Sequence, residues 1–148
     1  MQKGFNTVCI DANILIHATF EDFDKPKHLK ALKMLNSFAD SGVIIYVTPQ
    51  ILREFFAIST NSTIFKKPLS NKQAVKKIKE FLDYFRLASE TDTTIQSLLH
   101  LLEKYGILRQ KVHDMNIVST MLDNDIRHLM TFNGKDFKDI KEIALVEP

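Results

Sequence analysis

A chain of 148 residues with 45% hydrophobic and 26% charged side chains has the size and make-up of one globular domain with its own core. Its formal net charge of +2 is too small to argue for nucleic acid on charge alone, and no apolar stretch reaches the length of a membrane span. A lone cysteine, Cys9, excludes an intrachain disulfide and reads as an inert core thiol; with no signal-peptide pattern ahead of Phe5, a reducing cytoplasm is the expected setting.

The first predicted strand covers 5–10, an apolar run that stops at Asp11, and a short helix follows over 13–20. Pro26 has the place of a first-turn proline, after which Leu29, Leu32, Leu35 and Phe38 recur at helical spacing until Gly42. The β-rich run 43–48 is the second strand. Pro49 ends it and opens a helix carrying Ile51, Leu52, Phe55, Phe56 and Ile58. The polar stretch 61–69, with Pro68, reads as a loop, and Ser70 caps a helix bearing Val75, Ile78, Phe81, Leu82 and Phe85. A brief strand is expected near Leu87. Further helices are expected over 94–105, closed by Gly106, and over 112–125, with last strands over 129–132 and 143–146. Helical segments alternating with short β-rich runs predict a single α/β domain, 1–148, with a mostly parallel sheet covered on both faces.

The acids fall at telling places on these elements. Asp11 ends the first strand, at the edge where open α/β sheets bind ligands. Glu54 shares a helix face with Ile51 and Ile58, and Asp114 shares one with Ile117, Val118 and Met121. Asp136 lies in the loop after the strand 129–132. Carboxylates gathered without partners would repel one another and lose hydration, a cost that a hard divalent cation removes. Each acid also has a purely structural alternative. Asp11 or Asp114 can cap a helix, Glu54 can pair with Arg53 or a lysine, and Asp136 can close an Asx turn.

Other chemistries find no support. The stretch from Asp11 fails as an EF-hand, with Ile16 where glycine is needed and Asp22 where glutamate is. The histidines lack paired spacing for a zinc protease, and no glycine-rich phosphate loop exists. Lys25, Lys27, Lys30, Lys33 and the lysines of 66–79 read mostly as solvated helix faces. Phe55, Phe56, Phe65, Phe81 and Phe85 read mostly as core, with some left for a dimer mate or a partner helix.

Taken in order, Asp11-Ala-Asn-Ile-Leu, Glu54 behind a Thr-Pro strand exit, His113-Asp-Met-Asn-Ile and Thr131-Phe-Asn-Gly-Lys-Asp-Phe resemble a PIN-domain nuclease over 8–146. In size and layout the chain is similar to the VapC-type toxins of bacterial toxin–antitoxin pairs. The resemblance implies a PIN-like three-layer fold and RNA cleavage with Mg²⁺ or Mn²⁺. It implies Asp11 and Asp114 as metal ligands, Glu54 as a ligand through water or a general base, and Asp136 completing the shell. Asn13 would orient Asp11 or a metal water. Asn133 stands where the family often has a fourth acid; its amide oxygen carries no charge, so a second metal would bind weakly or only with substrate phosphate. The implied partners are RNA, a second copy of the chain and a cognate antitoxin whose tail lies across the acidic pocket, with no membrane. Two alternatives stay open: an RNA-processing nuclease outside toxin–antitoxin biology, and a catalytically degenerate PIN fold that binds RNA or protein.

Overall fold

In the computed structural model, which describes residues 4–148, five short strands form one sheet: β1 (Thr7–Ile10), β2 (Ile44–Val47), β3 (Arg86–Leu87), β4 (His128–Met130) and β5 (Ala144–Val146). Their order is β3-β2-β1-β4-β5, and every pairing is parallel. The central strand explains its own sequence. Val8, Cys9 and Ile10 are wholly buried, and a strand covered on both faces needs an unbroken apolar run rather than alternation. Burial pushes the Cys9 thiol far above its usual range, with the nearby Asp11 charge adding to it, so the thiol stays protonated and unreactive.

Helices α1 (Ala12–Thr19), α2 (Lys25–Asp40), α3 (Pro49–Ser59), α4 (Asn71–Tyr84), α5 (Asp92–Tyr105) and α6 (Lys111–Asp123) connect the strands. Local chemistry sets several of their starts. The side chains of Asp24, Thr48 and Ser70 accept the N–H groups of Lys27, Ile51 and Gln73, and Gln73 reaches back to complete a capping box. At the end of α5, Gly106 takes the left-handed conformation with φ 60° that a side chain would resist. Among the described residues no helix is long and apolar enough to cross a membrane.

Two predicted faces shift. On α2 the buried side is Ala31 and Phe38, with Met34 and Leu35 packed beside them, while Leu29 and Leu32 are 55% and 37% exposed. Steps of three residues fall short of a 3.6-residue turn, so Leu29 lies about 180° around the helix from Phe38. On α4, Ala74 and Phe81 are buried and Ile78 packs against the core, leaving Val75 and Leu82 outside. Of the aromatic set, Phe55, Phe65 and Phe81 are core and Phe85 packs against it, while Phe56 is half-buried and stands outside the core cluster. Element ends move by a few residues; β4 stops at Met130, ahead of Thr131, and β1 starts at Thr7. The expected domain span of 1–148 includes residues 1–3, which lie outside those described.

The strand order decides where a site can form. From β1 the chain builds outward through β2 to β3, then returns to place β4 and β5 on the other side of β1. The carboxyl ends of β1 and β4 therefore flank the point where the topology reverses, the place where open parallel sheets leave a crevice.

Candidate active site

Asp11 is the first residue past β1, and its N–H donates to the Met130 carbonyl at 3.0 Å, which holds it on the sheet's carboxyl edge. One carboxylate oxygen accepts the Ala12 N–H at 2.8 Å, so Asp11 does cap α1. The other accepts the Thr131 hydroxyl at 2.9 Å and, at a long 3.4 Å, the Asn13 amide. Thr131 is the hub here. Only 1% exposed, its oxygen also accepts the Asn13 side-chain N–H and the Asn133 backbone N–H, each at 3.0 Å. Asn13 in turn accepts the Phe132 N–H at 3.1 Å, so it braces the strap after β4 and reaches Asp11 chiefly through Thr131. Thr131 is absent from the predicted site residues. Its signal was a polar residue directly behind an apolar strand, in the same relation to β4 that Asp11 has to β1.

α3 and α6 carry the next acids. Glu54 accepts the Gln50 amide at 2.9 Å and, among the described residues, makes no ion pair with Arg53 or a lysine. Gln50, 5% exposed, also donates to the His113 carbonyl at 2.7 Å and accepts Asn116 Nδ2 at 2.7 Å. This buried amide thus ties the Glu54 side chain to the first turns of α6, on either side of Asp114. Gln50 was missed in the sequence, although it precedes Glu54 by one helical turn. Asp114 is not a cap, since Gln110 holds that position in α6. Asp136 closes a 3-10 turn, Gly134–Asp136, whose bond runs from its own N–H to the Asn133 carbonyl at 3.0 Å, without the side-chain bond of an Asx turn.

All six residues singled out in the sequence, Asp11, Asn13, Glu54, Asp114, Asn133 and Asp136, line one cleft of about 270 Å³. The acids feel one another. Burial raises the Asp11 carboxyl above its ordinary value, against the Thr131 and Ala12 hydrogen bonds and with the Glu54 and Asp136 charges. Asp114 is pushed up to about 6, by burial first and then by Asp11, Asp136 and Glu54, with Lys111 the one opposing charge. Among the described residues no three His, Cys, Asp or Glu side chains stand close enough to form a ready-made metal cluster. The donor set is nevertheless all hard oxygen, which suits an ion such as Mg²⁺ that keeps several waters and takes one or two carboxylates directly.

A family model described as "PIN domain" matches residues 8–143. Comparison of the sequence with curated proteins gives no match. Solved structures share the fold at low identity. VapBC2 from Rickettsia felis, bound to a promoter DNA fragment, has a TM-score of 0.70 at 20% identity, covering 96% of this chain and 98% of the other. VapC20 from Mycobacterium tuberculosis, described as a sarcin–ricin loop cleaving toxin, has a TM-score of 0.70 at 14% identity, with 95% and 99% covered. VapBC-1 from nontypeable Haemophilus influenzae gives 0.67 at 14% identity, with 95% and 97% covered.

Proposed function

Since the chain belongs to the PIN domain family, we propose that it is a divalent-metal-dependent endoribonuclease, the cytoplasmic toxin of a toxin–antitoxin pair. The observation that carries this reading is the convergence of Asp11, Glu54, Asp114 and Asp136 on one cleft, with Asp11 and Asp114 raised by burial and by neighbouring acids. A fold that needed these acids only for structure would surround them with donors. Here burial and neighbouring carboxylates raise Asp11 even against its Thr131 and Ala12 donors, and Asp114 is raised by burial and by Asp11, Asp136 and Glu54.

Asp11 and Asp114 would hold Mg²⁺ or Mn²⁺ directly, Glu54 through water with Asp136 completing the shell, and the ion would supply charge neutralisation for the phosphodiester and a more acidic water. Thr131 and the Ala12 N–H hold the Asp11 carboxylate in a single orientation. Glu54 has one oxygen engaged by Gln50, which leaves the other to take a proton from the attacking water. Asn133 presents an amide, not a charge, so one strongly held ion is the expectation.

The proposed partners are RNA, a second copy of this chain and an antitoxin. The last rests on similarity to proteins described as toxin–antitoxin complexes. An inhibitor of this cleft would present a cation, most effectively an arginine, to the carboxylates. A second reading, RNA binding without cleavage, is favoured by one observation, the absence of a ready-made metal cluster among the described residues. Incubation of the purified chain with structured RNA in Mg²⁺, in Mn²⁺ and in chelator separates the two. Cleavage that requires metal is the expected result. RNA that binds but stays whole in both metals would establish the second reading.

A further inference from the structure

Beyond the acids, the cleft is walled by rings. His17 stacks on Phe23 with centroids 5.7 Å apart at 25°, and meets Phe132 edge-on at 5.1 Å. Phe23 in turn meets Phe65 edge-on at 4.7 Å, and Phe65 stacks on Phe20 at 3.9 Å. Phe23 is 50% exposed although two aromatic neighbours offer it cover. Phe23, Ile64 and Phe65 also line an adjoining cavity of about 660 Å³ that runs on to Lys66 and Lys67. Neither lysine is in an ion pair among the described residues. Two acids stand on the same rim, Glu21, which faces Lys25 at 4.0 Å, and Asp22.

One polar atom in this wall is unaccounted for. His17 is buried, and its Nδ1 has no hydrogen-bond partner. A buried N–H without an acceptor is rarer and costlier than a buried lone pair, which puts the ring proton on Nε2. Burial and the Lys27 charge lower the imidazole's pKa, keeping the ring neutral. A half-exposed phenyl face backed by a neutral imidazole ring suits a flat, uncharged heterocycle. Free lysines on the same path suit the phosphates joined to it.

We propose that the ring-lined arm built on His17, Phe23 and Phe65 and continued by Lys66 and Lys67 is a stacking subsite for an unpaired base of an RNA strand whose phosphate lies at the acids. The strand's placement rests on the nuclease reading above; the stacking chemistry does not. A duplex is excluded as the occupant because its base faces are already stacked, whereas single strands present them to aromatic platforms.

The test is a single-stranded RNA oligonucleotide containing 2-aminopurine, titrated with protein in chelator so that nothing is cut. Wild type should quench the probe and bind it more tightly than the same sequence in a duplex. Phe23→Ala should weaken binding about 5- to 150-fold and restore fluorescence, the range expected for loss of one base stack. Since Phe23 is half-exposed, its loss leaves the Phe20–Phe65 stack in place, and Phe23→Trp should bind at least as well as wild type. Lys66→Ala with Lys67→Ala should make the slope of log affinity against log salt shallower by about 1.4. Tyr84→Ala, at an 82% exposed aromatic outside the cleft, should change neither. Unchanged affinity and quenching in Phe23→Ala, or equal affinity for duplex, would overturn the subsite. So would a Phe23→Ala protein that keeps its RNA affinity but loses an antitoxin polypeptide, which would make the arm a protein dock. Metal-dependent cleavage without quenching refutes the subsite alone, and quenching without cleavage refutes the nuclease reading alone.

Discussion

Two groups of buried or shielded polar side chains invite comparison, one around Asp11 and Asp114 and one around Asp123. Asp123, at the end of α6, accepts the hydroxyls of Thr91, Thr93 and Thr94 at 2.9, 2.7 and 2.7 Å, and these hydrogen bonds hold its carboxyl below the ordinary range. It joins α6 to the start of α5 and faces a helix N-terminus, where negative charge is welcome. Asp114, in the same helix, has burial and three other carboxylates around it and is pushed up to about 6. An acid that serves the fold is met by donors. An acid that is set against its own kind destabilises the folded chain until something positive arrives, and that difference sets Asp114 in the cleft apart from Asp123.

The largest effect expected is on cleavage at the cleft. Asp11→Asn should reduce RNA hydrolysis by at least about a hundredfold, beyond the 10–100-fold typical for loss of a group that only supports a metal ligand. Its circular dichroism melt should stay cooperative, because the amide oxygen still caps α1. Asp11→Asn protein that remains folded and active would take Asp11 out of the site.

Gln50→Leu should come next, with cleavage lower by about 10–100-fold while RNA affinity in chelator is retained. The change frees Glu54 and cuts the bonds to His113 and Asn116, leaving all the acids in place. A Gln50→Leu enzyme with unaltered turnover would mean that Glu54 needs no positioning.

Stability against pH should then separate the two aspartates by sign. Asp114 has a raised folded pKa, so its charge penalises the fold above about 6, and the penalty fades toward the ordinary carboxylate value of 3.8. In chelator, Asp114→Asn should melt above wild type at neutral pH, with the gap closing between about pH 6 and 3.8. Added Mg²⁺ should raise the wild-type Tm and leave the variant's unchanged. A variant that melts below wild type at neutral pH would show that Asp114 is supported by donors after all.

Asp123 should behave in the opposite way, with the smallest effect of the series. Its folded pKa is depressed, so its contribution is full above the unfolded pKa and is lost as pH falls through the folded one. Asp123→Ala should melt slightly below wild type at pH 7, match it in acid, and cut RNA at the wild-type rate. Loss of cleavage there would erase the division between a structural and a working carboxylate.

Much of this was legible in the residues. The run from Val8 to Ile10 ended by Asp11 announces a buried strand delivering an acid, and Glu54 and Asp114 show their inward direction through apolar neighbours at helical offsets. The Ser70 cap and the Gly106 stop are equally local. Less legible were Thr131 and Gln50, since a threonine behind a strand or a glutamine on a helix is ordinary until its partner is known. The leucines of α2 misled for a geometric reason, because a three-residue spacing drifts off any one face of a helix.

What the sequence determined by itself was therefore whatever acts within a turn or two of the chain: which segments are strands, where helices start and stop, and which carboxylates face inward. Only the tertiary structure decided which of these meet. The Asp11–Thr131 bond spans 120 positions and the Gln50–His113 bond spans 63, and both depend on β4 lying beside β1 and on α3 packing against α6. Such pairings come from the collective burial of the sheet, which has no local signature. The strand order gathers the acids into one cleft and leaves the Phe23 ring half in solvent beside them.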